Sequence, residues 1–312
     1  MRYENRPVVS IVGPTASGKS DLAQVVAIEL GGEVVSADSM QIYRGMDIGT
    51  AKIPPSERKV PHYLLDVVEP GRAYSAQLFQ DAARKAFEDI ESRGLVPVLC
   101  GGTGFYVQAA LDHMDFPKGD QMQNPVRDHW QAFADEHGPE ALWVELKARD
   151  EKSAKAVHPN NVRRVIRALE MHEQGVSYAE QLERLKKIQP DVASVRFGLQ
   201  VDRDVLNARI ELRVDKMFDK GLVDEVKMLM DQGFTAALTA PQAIGYKEVV
   251  RALRGECSLD EAREDIKVAT RRYAKRQRSW FKRDKSIIWL EATNARTEDL
   301  CHQVVDAYRG RC

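Results

Sequence analysis

Cysteine is scarce in this chain, and its spacing forms no motif. The 312 residues include four cysteines, at positions 100, 257, 301 and 312, and none belongs to a C-x-x-C pair. Such scattered cysteines indicate neither a disulfide framework nor a zinc site. They are typical of a protein in a reducing compartment, so we expect a cytoplasmic location.

Long apolar runs and an excess of either charge are also lacking. No apolar stretch reaches the length of a membrane span and the amino terminus resembles no signal peptide, so we expect no membrane partner. The net charge is −1, so any surface for nucleic acid must be a local basic patch. The length fits one large α/β domain with an insertion, or two domains.

What the chain does have is a phosphate-binding loop at residues 13–20. A β-branched run at 8–12 leads into the pattern G-x-x-x-x-G-K-S, and a helical pattern follows from 21 to 30. This strand, loop and helix context favours phosphate binding over an ordinary surface turn, because backbone N–H groups and a helix N-terminus then face one point. The predicted phosphate-binding residues are Gly13, Pro14, Thr15, Ala16, Ser17, Gly18, Lys19 and Ser20, with Ser20 as the Mg²⁺ ligand.

Two further predicted strands, at 33–37 and 95–100, should end near this loop, because ligands bind at the carboxyl edge of parallel sheets. Asp38 follows the first strand and is either a helix cap or a catalytic carboxylate. Residues 101–104, Gly-Gly-Thr-Gly, follow the second and indicate either a tight turn or close approach to a ligand. Within that tetrapeptide, Thr103 has the side chain that could bind phosphate or substrate.

The composition changes beyond residue 115. A linker is expected at 116–120, and the patterns up to about 190 are helical without strands, which predicts a helical insertion in the α/β core. One of its helices should run from Val162 to Gln174. Its basic side is either a solvated face or a surface for RNA or phosphate, and it comprises Arg163, Arg164 and Arg167.

Two other helical stretches concentrate basic residues. Arg209 and Arg213 are four residues apart, which indicates either a salt-bridged surface or a clamp on a leaving phosphate. Residues 267–285 contain nine lysines and arginines against one acid, Asp284, which favours contact with a polyanion over a plain solvated face. Tyr273 and Trp280 are expected on the opposite, core-facing side of this helix.

Several motifs occur in a fixed order along nearly the whole chain. They are GPTASGKS at 13–20, DSMQIYRGMDIGTAK at 38–52, GGTGFY at 101–106, NNVRRVIRALE at 160–170, AIGYKE at 243–248 and RYAKRQRSWF at 272–281. In this order and spacing they resemble the motifs of bacterial tRNA dimethylallyltransferases.

The resemblance implies an α/β fold with a P-loop NTPase-like, kinase-like parallel-sheet core and an all-helical insertion domain. The core would comprise residues 1–115 and 191–312 with basic C-terminal helices, and the insertion at 116–190 would contact tRNA. The resemblance also implies dependence on Mg²⁺, and we expect a monomer.

The implied reaction transfers a dimethylallyl group from dimethylallyl diphosphate to N6 of adenosine 37, beside the anticodon, in tRNAs that read codons beginning with U. The products would be N6-dimethylallyladenosine and pyrophosphate. The prenyl diphosphate would take the place of a nucleotide in the phosphate-binding loop, although the motif alone also allows ATP there.

Site residues follow from the same motifs. Thr15 to Ser20 with Arg213 would hold the donor, and the implied catalytic residues are Asp38, Thr103 and Arg213. Asp38 would accept a proton from N6, a poor nucleophile, while Lys19 and Arg213 would stabilise the leaving pyrophosphate. The implied tRNA-binding residues are Asp38, Ser39, Met40, Gln41, Thr103, Arg127, Arg163, Arg164, Val165, Ile166, Arg167, Gln242, Ala243, Ile244, Gly245, Tyr246 and Lys247.

Two alternative functions remain to be separated from this one. An ATP-dependent small-molecule kinase shares the phosphate-binding loop, but the strand at 95–100 ends in glycines where a kinase would present an acidic residue. A non-catalytic RNA-binding switch would use the nucleotide only as a signal, and it would leave RNA covalently unchanged.

Overall fold

The computed structural model describes residues 6–116, 124–186, 189–237 and 239–311. The chain divides into two compact units, residues 1–111 with 190–312 and residues 112–189. Of the predicted linker at 116–120, only Phe116 is among the described residues. Within the described ranges, no helix combines the length and apolar character that a membrane crossing requires.

Among the described residues of the first unit, six parallel strands form one sheet in the order β3-β2-β4-β1-β5-β6. The strands are β1 Val8–Val12, β2 Gly32–Ser36, β3 His62–Tyr63, β4 Val96–Gly101, β5 Ser194–Gln200 and β6 Ile288–Glu291. The central strands are buried along their whole length, as expected where helices cover both faces of a parallel sheet. The predicted parallel α/β core is confirmed.

The strand order brings three predicted segments to one edge of the sheet. β1 lies between β4 and β5, with Val9 opposite both Val98 and Val195, and β2 pairs with the other side of β4. Because the strands are parallel, the residues that follow β1, β2 and β4 meet at the carboxyl edge. The phosphate-binding loop, Asp38 and residues 101–104 therefore lie close together.

The helices of the described residues, in chain order, have the following bounds. They are α1 Lys19–Leu30, α2 Ala76–Ser92, α3 Gly104–Leu111, α4 Pro125–Arg149, α5 Glu151–Ala156, α6 Val162–Glu173, α7 Tyr178–Lys186, α8 Arg203–Asp219, α9 Leu222–Asp231, α10 Tyr246–Leu253, α11 Leu259–Phe281 and α12 Thr297–Arg309. Helices α4 to α7 belong to the second unit.

Local sequence signals explain several helix boundaries. Ser75 Oγ accepts a hydrogen bond from Leu78 N at 3.1 Å at the start of α2. Ser258 N donates to Glu261 Oε2 at 2.7 Å in the capping box of α11. Gly221, with φ of +93°, separates α8 from α9, because glycine adopts this left-handed conformation without strain.

The second unit has its own apolar core. Trp130, Leu142 and Leu169 are among the buried side chains that α4 and α6 contribute. Helix α4 is kinked at Gly138, whose φ is +86° and which precedes a proline. The described elements of this unit are helices, as the sequence predicts, and its role in contacting tRNA stays a prediction.

Candidate active site

A cavity of about 300 Å³ lies at the carboxyl edge of the sheet. Its walls come from the phosphate-binding loop, the segment after β2, residues 49–51, helices α8 and α11 and the turn at 242–244. The predicted site residues that line it are Thr15, Lys19, Ser20, Asp38, Ser39, Met40, Gln41, Arg213, Gln242, Ala243 and Ile244. One cavity therefore joins the phosphate-binding loop to Asp38 and its neighbours.

The phosphate-binding loop has a backbone that suits an anion. Gly18 has φ of +88° and begins α1, whose N-terminus carries the positive end of the helix dipole. Gly13 is closely surrounded, since a Cβ there would lie 3.0 Å from Ser17 Oγ and 3.3 Å from Leu199 Cβ, so a larger residue would press on both neighbours. Ala16 is left-handed, with φ of +62°, which is unfavourable by about 1 kcal/mol for a residue with a Cβ.

Lys19 places a desolvated cation in this loop. Its Nζ donates to Pro14 O at 3.3 Å. Burial lowers the pKa of Lys19, the neighbouring Cys100 and Asp38 oppose that shift, and Arg213 adds to it. A bound anion would favour the charged ammonium, so the electrostatics of the loop match a phosphate ligand.

Asp38 caps a turn and also lines the cavity. Its Oδ1 accepts hydrogen bonds from Met40 N at 2.9 Å and Gln41 N at 3.4 Å. Among the described residues, no group donates to Oδ2. Residues 39–42 form a turn and not a helix, so Asp38 is not a helix cap. Its Oδ2 can accept a hydrogen bond from another donor.

Thr103 is absent from the lining of the cavity. Its Oγ1 accepts from Ser39 N at 3.0 Å and donates to Ser39 Oγ at 3.3 Å. Thr103 therefore holds the backbone next to Asp38, and this geometry makes it a positioning residue for that segment.

The glycines at 101–104 make room for protein groups, which neither sequence interpretation anticipated. A Cβ at Gly101 would lie 2.2 Å from Ala37 O. At Gly102 it would lie 2.2 Å from Gln277 Nε2, and at Gly104 it would lie 2.1 Å from Trp280 Cδ1. The last two glycines therefore allow α11 to pack closely against this loop.

The two arginines of α8 make different contacts. Arg213 lines the cavity, and its Nη2 donates to Thr50 O at 3.3 Å. Thr50 O also accepts from Gln41 Nε2 at 3.2 Å. Burial lowers the pKa of Arg213, and Asp38 opposes the shift. Arg209 Nη2 donates instead to Thr293 O at 2.7 Å. Of the two arginines, Arg213 is the one that lines the cavity, and a clamp on a leaving phosphate stays a prediction for that residue.

The predicted segment 242–247 has two parts. Gln242, Ala243 and Ile244 line the cavity. The other three residues, Gly245, Tyr246 and Lys247, form the start of α10, where Gly245 N donates to Glu248 Oε2 at 2.8 Å and Lys247 Nζ lies 3.6 Å from Glu248 Oε1.

Glu225 of α9 organises one wall of the cavity, although no sequence motif contains it. The carboxylate accepts hydrogen bonds from the backbone N–H groups of 47–49 at 3.0, 2.7 and 3.2 Å. It also accepts from Tyr246 OH at 2.6 Å. A Cβ at Gly49 would lie 2.4 Å from the Tyr246 ring. The loop that lines the cavity is thus held by one buried carboxylate.

Helix α11 presents a face that the sequence assigned only in part. Trp280 is 37% exposed, so its predicted core position is wrong, whereas Gln277 is only 4% exposed. Tyr273 and Arg276 line the cavity. Burial raises the pKa of Tyr273 to about 12, so its phenol is neutral near neutral pH. The spacing of Gln277 from Ala274 and Phe281 could have revealed its burial.

The basic segment at 267–285 is partly neutralised. Lys267 Nζ lies 2.9 Å from Asp215 Oδ1, and Arg271 Nη1 lies 2.8 Å from Glu211 Oε1. These ion pairs reduce the positive charge that the segment could offer to a polyanion.

In the second unit, the predicted tRNA-binding residues differ in exposure. Arg163 and Arg164 are exposed, whereas the side chains of Val165 and Ile166 are buried in the helical core. The remaining two arginines are paired with buried Glu170, because Arg127 Nε lies 2.6 Å from Oε1 and Arg167 Nη1 lies 3.1 Å from Oε2. Arg163 and Arg164 are therefore the better candidates for contact with a polyanion.

A metal ion in the cavity would be held mainly by the oxygens of a bound phosphate, with few ligands from the protein. Among the described residues, no group of three or more His, Cys, Asp or Glu side chains could hold a metal. Ser20 lines the cavity beside Lys19. Mg²⁺ is commonly bound by one or two protein groups together with phosphate oxygens, and Ser20 Oγ fits that mode.

Comparison with known proteins places the chain in a family. A family model described as IPP transferase matches residues 41–284. The tRNA dimethylallyltransferase of Carboxydothermus hydrogenoformans is 44% identical over 96% of this chain and 96% of its own length. That of Kocuria rhizophila is 47% identical over 92% of this chain and 90% of its own.

Solved structures extend the similarity to the fold. The tRNA isopentenylpyrophosphate transferase of Bacillus halodurans has a TM-score of 0.72 and 41% identity, covering 98% of this chain and 96% of that one. A eukaryotic dimethylallyltransferase acting on tRNA has a TM-score of 0.75 and 29% identity, covering 93% and 74%. Sequence and fold agree over most of the chain, which therefore belongs to the tRNA dimethylallyltransferase family, also described as IPP transferases.

Proposed function

We propose that this protein transfers a dimethylallyl group from dimethylallyl diphosphate to N6 of adenosine 37 in tRNAs that read codons beginning with U. The observation that carries the proposal is the shared cavity, which both Lys19 and Asp38 line. The Lys19 ammonium could bind a diphosphate, and the Asp38 carboxylate could accept a proton from an amino group. Both groups face the same cavity. Family membership supports transfer to tRNA, since the relatives are named tRNA dimethylallyltransferase.

The donor diphosphate would lie in the phosphate-binding loop. The N-terminus of α1, the Lys19 ammonium and the Arg213 guanidinium supply fixed positive charge there. Such preorganised groups stabilise the charge that grows on pyrophosphate as the carbon–oxygen bond breaks. Mg²⁺ held by Ser20 Oγ and the diphosphate would add charge neutralisation at the same oxygens.

The hydrocarbon part of the donor would contact an apolar section of the cavity wall. Val214, Met217 and Ile266 line the cavity together with the charged groups. A cavity with both characters suits a small prenyl diphosphate, whose two ends differ in the same way.

The acceptor base would enter between the donor and Asp38. Adenosine 37 must leave its stack to do so, which costs a few kcal/mol and is offset by contacts to the extruded nucleotide. Asp38 Oδ2 would take the N6 proton as the new carbon–nitrogen bond forms. Ser39, Met40 and Gln41 would contact the base, while Thr103 keeps that segment in place through Ser39.

The tRNA would also contact basic side chains away from the cavity, in particular Arg163 and Arg164. Association with a polyanion through such residues weakens steeply as salt increases. We further propose that the protein works in the cytoplasm as a monomer and that the donor, rather than ATP, occupies the phosphate-binding loop.

The decisive experiment incubates the full chain with dimethylallyl diphosphate, Mg²⁺ and unmodified tRNA, and then analyses the digested nucleosides by mass spectrometry. We expect one dimethylallyl group on the adenosine at position 37 and an equal amount of pyrophosphate. A tRNA whose position 37 is guanosine is the matched control, and it should remain unchanged.

A parallel incubation with ATP and nucleosides separates the alternatives. Formation of ADP with unchanged tRNA would indicate a kinase. Binding of tRNA without any covalent change, in the presence of all substrates, would indicate an RNA-binding switch.

A further inference from the structure

A single glutamine of α11 connects the two loops of the candidate site. Gln277 Oε1 accepts a hydrogen bond from Thr15 N at 2.9 Å, and its Nε2 donates to Gly102 O at 2.9 Å. The side chain is 4% exposed. One buried amide therefore bonds to the phosphate-binding loop with one end and to the loop after β4 with the other.

The hydrogen bond from Thr15 N to Gln277 occupies one backbone amide of the phosphate-binding loop. Backbone N–H groups of such loops generally point at the bound phosphate, but Thr15 N points at Gln277. The contact also explains Gly102, where a Cβ would lie 2.2 Å from the glutamine Nε2. The two loops and the helix are therefore fitted to one another around this side chain.

The connection continues to the acceptor side of the cavity. Gly102 is followed by Thr103, whose Oγ1 accepts from Ser39 N at 3.0 Å, and Ser39 is bonded covalently to Asp38. The glutamine amide thus links Lys19 and its loop to the segment that carries the carboxylate.

We infer that Gln277 is a positioning residue that fixes the donor loop relative to Asp38. The inference deepens the proposed function and rests on it. The glutamine amide both accepts from Thr15 N and donates to Gly102 O, which neither a carboxylate nor an apolar side chain of similar size can do. A displacement of reacting groups by about 1 Å can lower a rate about 100-fold, so loss of this link should affect turnover as well as donor binding.

Two substitutions test the link in the full chain. Gln277→Leu removes both hydrogen bonds at similar volume. Gln277→Glu keeps an acceptor for Thr15 N, but it turns a second acceptor towards Gly102 O and places negative charge beside the donor loop. We expect pyrophosphate, titrated calorimetrically, to bind about tenfold more weakly to the leucine variant and more weakly still to the glutamate variant. Turnover at saturating donor and tRNA should fall about 100-fold in both.

Gln80→Leu is the matched control. Gln80 is also a buried glutamine whose Nε2 donates to a backbone carbonyl, Ala109 O at 2.9 Å, but it does not line the cavity. All variants are measured below their melting temperatures. The control should melt earlier and keep pyrophosphate affinity and turnover within about twofold of the unmodified protein.

The outcomes separate this inference from the proposed function. If the unmodified protein prenylates tRNA and Gln277→Leu matches the control in pyrophosphate affinity and turnover, the positioning role is overturned. If the unmodified protein leaves tRNA unchanged but the Gln277 variants still lose pyrophosphate affinity, the proposed reaction fails while the link between the loops stands.

Discussion

At the scale of single residues, two opposite charges face the cavity in different surroundings. Lys19 is desolvated, and burial lowers its pKa. Asp38 is anchored through Oδ1 to the backbone of the following turn. The ammonium therefore lacks full compensation until an anion is present, whereas the carboxylate is already oriented, and substitutions at these two residues should have different effects.

Lys19→Met should stabilise the protein in the absence of a ligand and weaken pyrophosphate binding. The substitution replaces a desolvated cation with an apolar side chain of similar length, which we expect to raise the free energy of unfolding by about 1 kcal/mol near neutral pH. The pKa of folded Lys19 is lower than its ordinary value of 10.5, so the unmodified protein gains stability as pH rises between the two values. The advantage of the variant should shrink over that window.

Urea denaturation of both proteins between about pH 7 and pH 10 measures this difference. Lys59→Met, at an exposed lysine, is the control and should show no advantage. Equal stabilities of the Lys19 variant and the unmodified protein at every pH would contradict a desolvated ammonium.

Asp38→Asn should lower turnover by roughly 10²–10⁴-fold, because the amide cannot accept the N6 proton. The amide oxygen can still accept from Met40 N, so the turn and pyrophosphate affinity should be preserved. Asp38→Ala should lower turnover equally but also destabilise the turn. Single-turnover prenylation and thermal melting separate the two effects, and an asparagine variant with normal turnover would exclude Asp38 as the base.

At the scale of elements, the loop after β2 is shaped by a helix far along the chain. Glu225 of α9 accepts from three successive backbone N–H groups at 47–49 and from Tyr246 OH. Thr50 comes next, and its carbonyl accepts from both Gln41 and Arg213. Gln41 is predicted to contact the base, and Arg213 is predicted to bind the donor. The positions of both side chains therefore depend on the Glu225 carboxylate.

Glu225→Gln should destabilise the protein by about 2 kcal/mol, because the amide replaces an oxygen that faces N–H donors. We expect kcat/KM to fall about tenfold through displacement of Thr50. The matched control is Asp224→Asn, since Asp224 is exposed and pairs only with Lys227, at 3.2 Å, among the described residues. Thermal melting and steady-state kinetics compare the two variants. Equal melting temperatures and equal kcat/KM values would contradict the role of Glu225.

Short-range patterns sufficed for most elements and failed where distant segments meet. The central strands, the phosphate-binding loop and the break at Gly221 follow from local apolar patterns and glycine dihedrals. Gly102 and Gly104 could not be interpreted locally, because the groups that fill their space come from Gln277 and Trp280 on α11. The two-residue strand β3 is too short for any pattern, and Glu225 has no sequence motif.

At the scale of the whole molecule, the net charge is only −1. Attraction of a polyanion must therefore come from local groups of arginine and lysine side chains and not from the overall charge. In the second unit, Arg127 and Arg167 are committed to buried Glu170. Removing either arginine would leave a buried carboxylate less compensated, so a loss of tRNA binding in such a variant would not be specific.

The double substitution Arg163→Ala with Arg164→Ala should weaken tRNA binding and flatten its salt dependence. Removing one arginine that neutralises a phosphate reduces the slope of log affinity against log salt by about one. Lys152→Ala with Lys155→Ala removes the same charge from exposed positions of α5 and serves as the control. Filter binding at several salt concentrations would contradict the prediction if both pairs had equal slopes.

The chain leaves the first unit after Leu111 and returns beside the same residue, since Leu111 O accepts hydrogen bonds from both Asp191 N at 3.1 Å and Val192 N at 2.9 Å. The sheet is therefore complete whether the intervening segment is long or short. In evolutionary terms, a gene could therefore gain, lengthen or exchange the coding sequence of the second unit at this one point, without any change to the strands of the sheet.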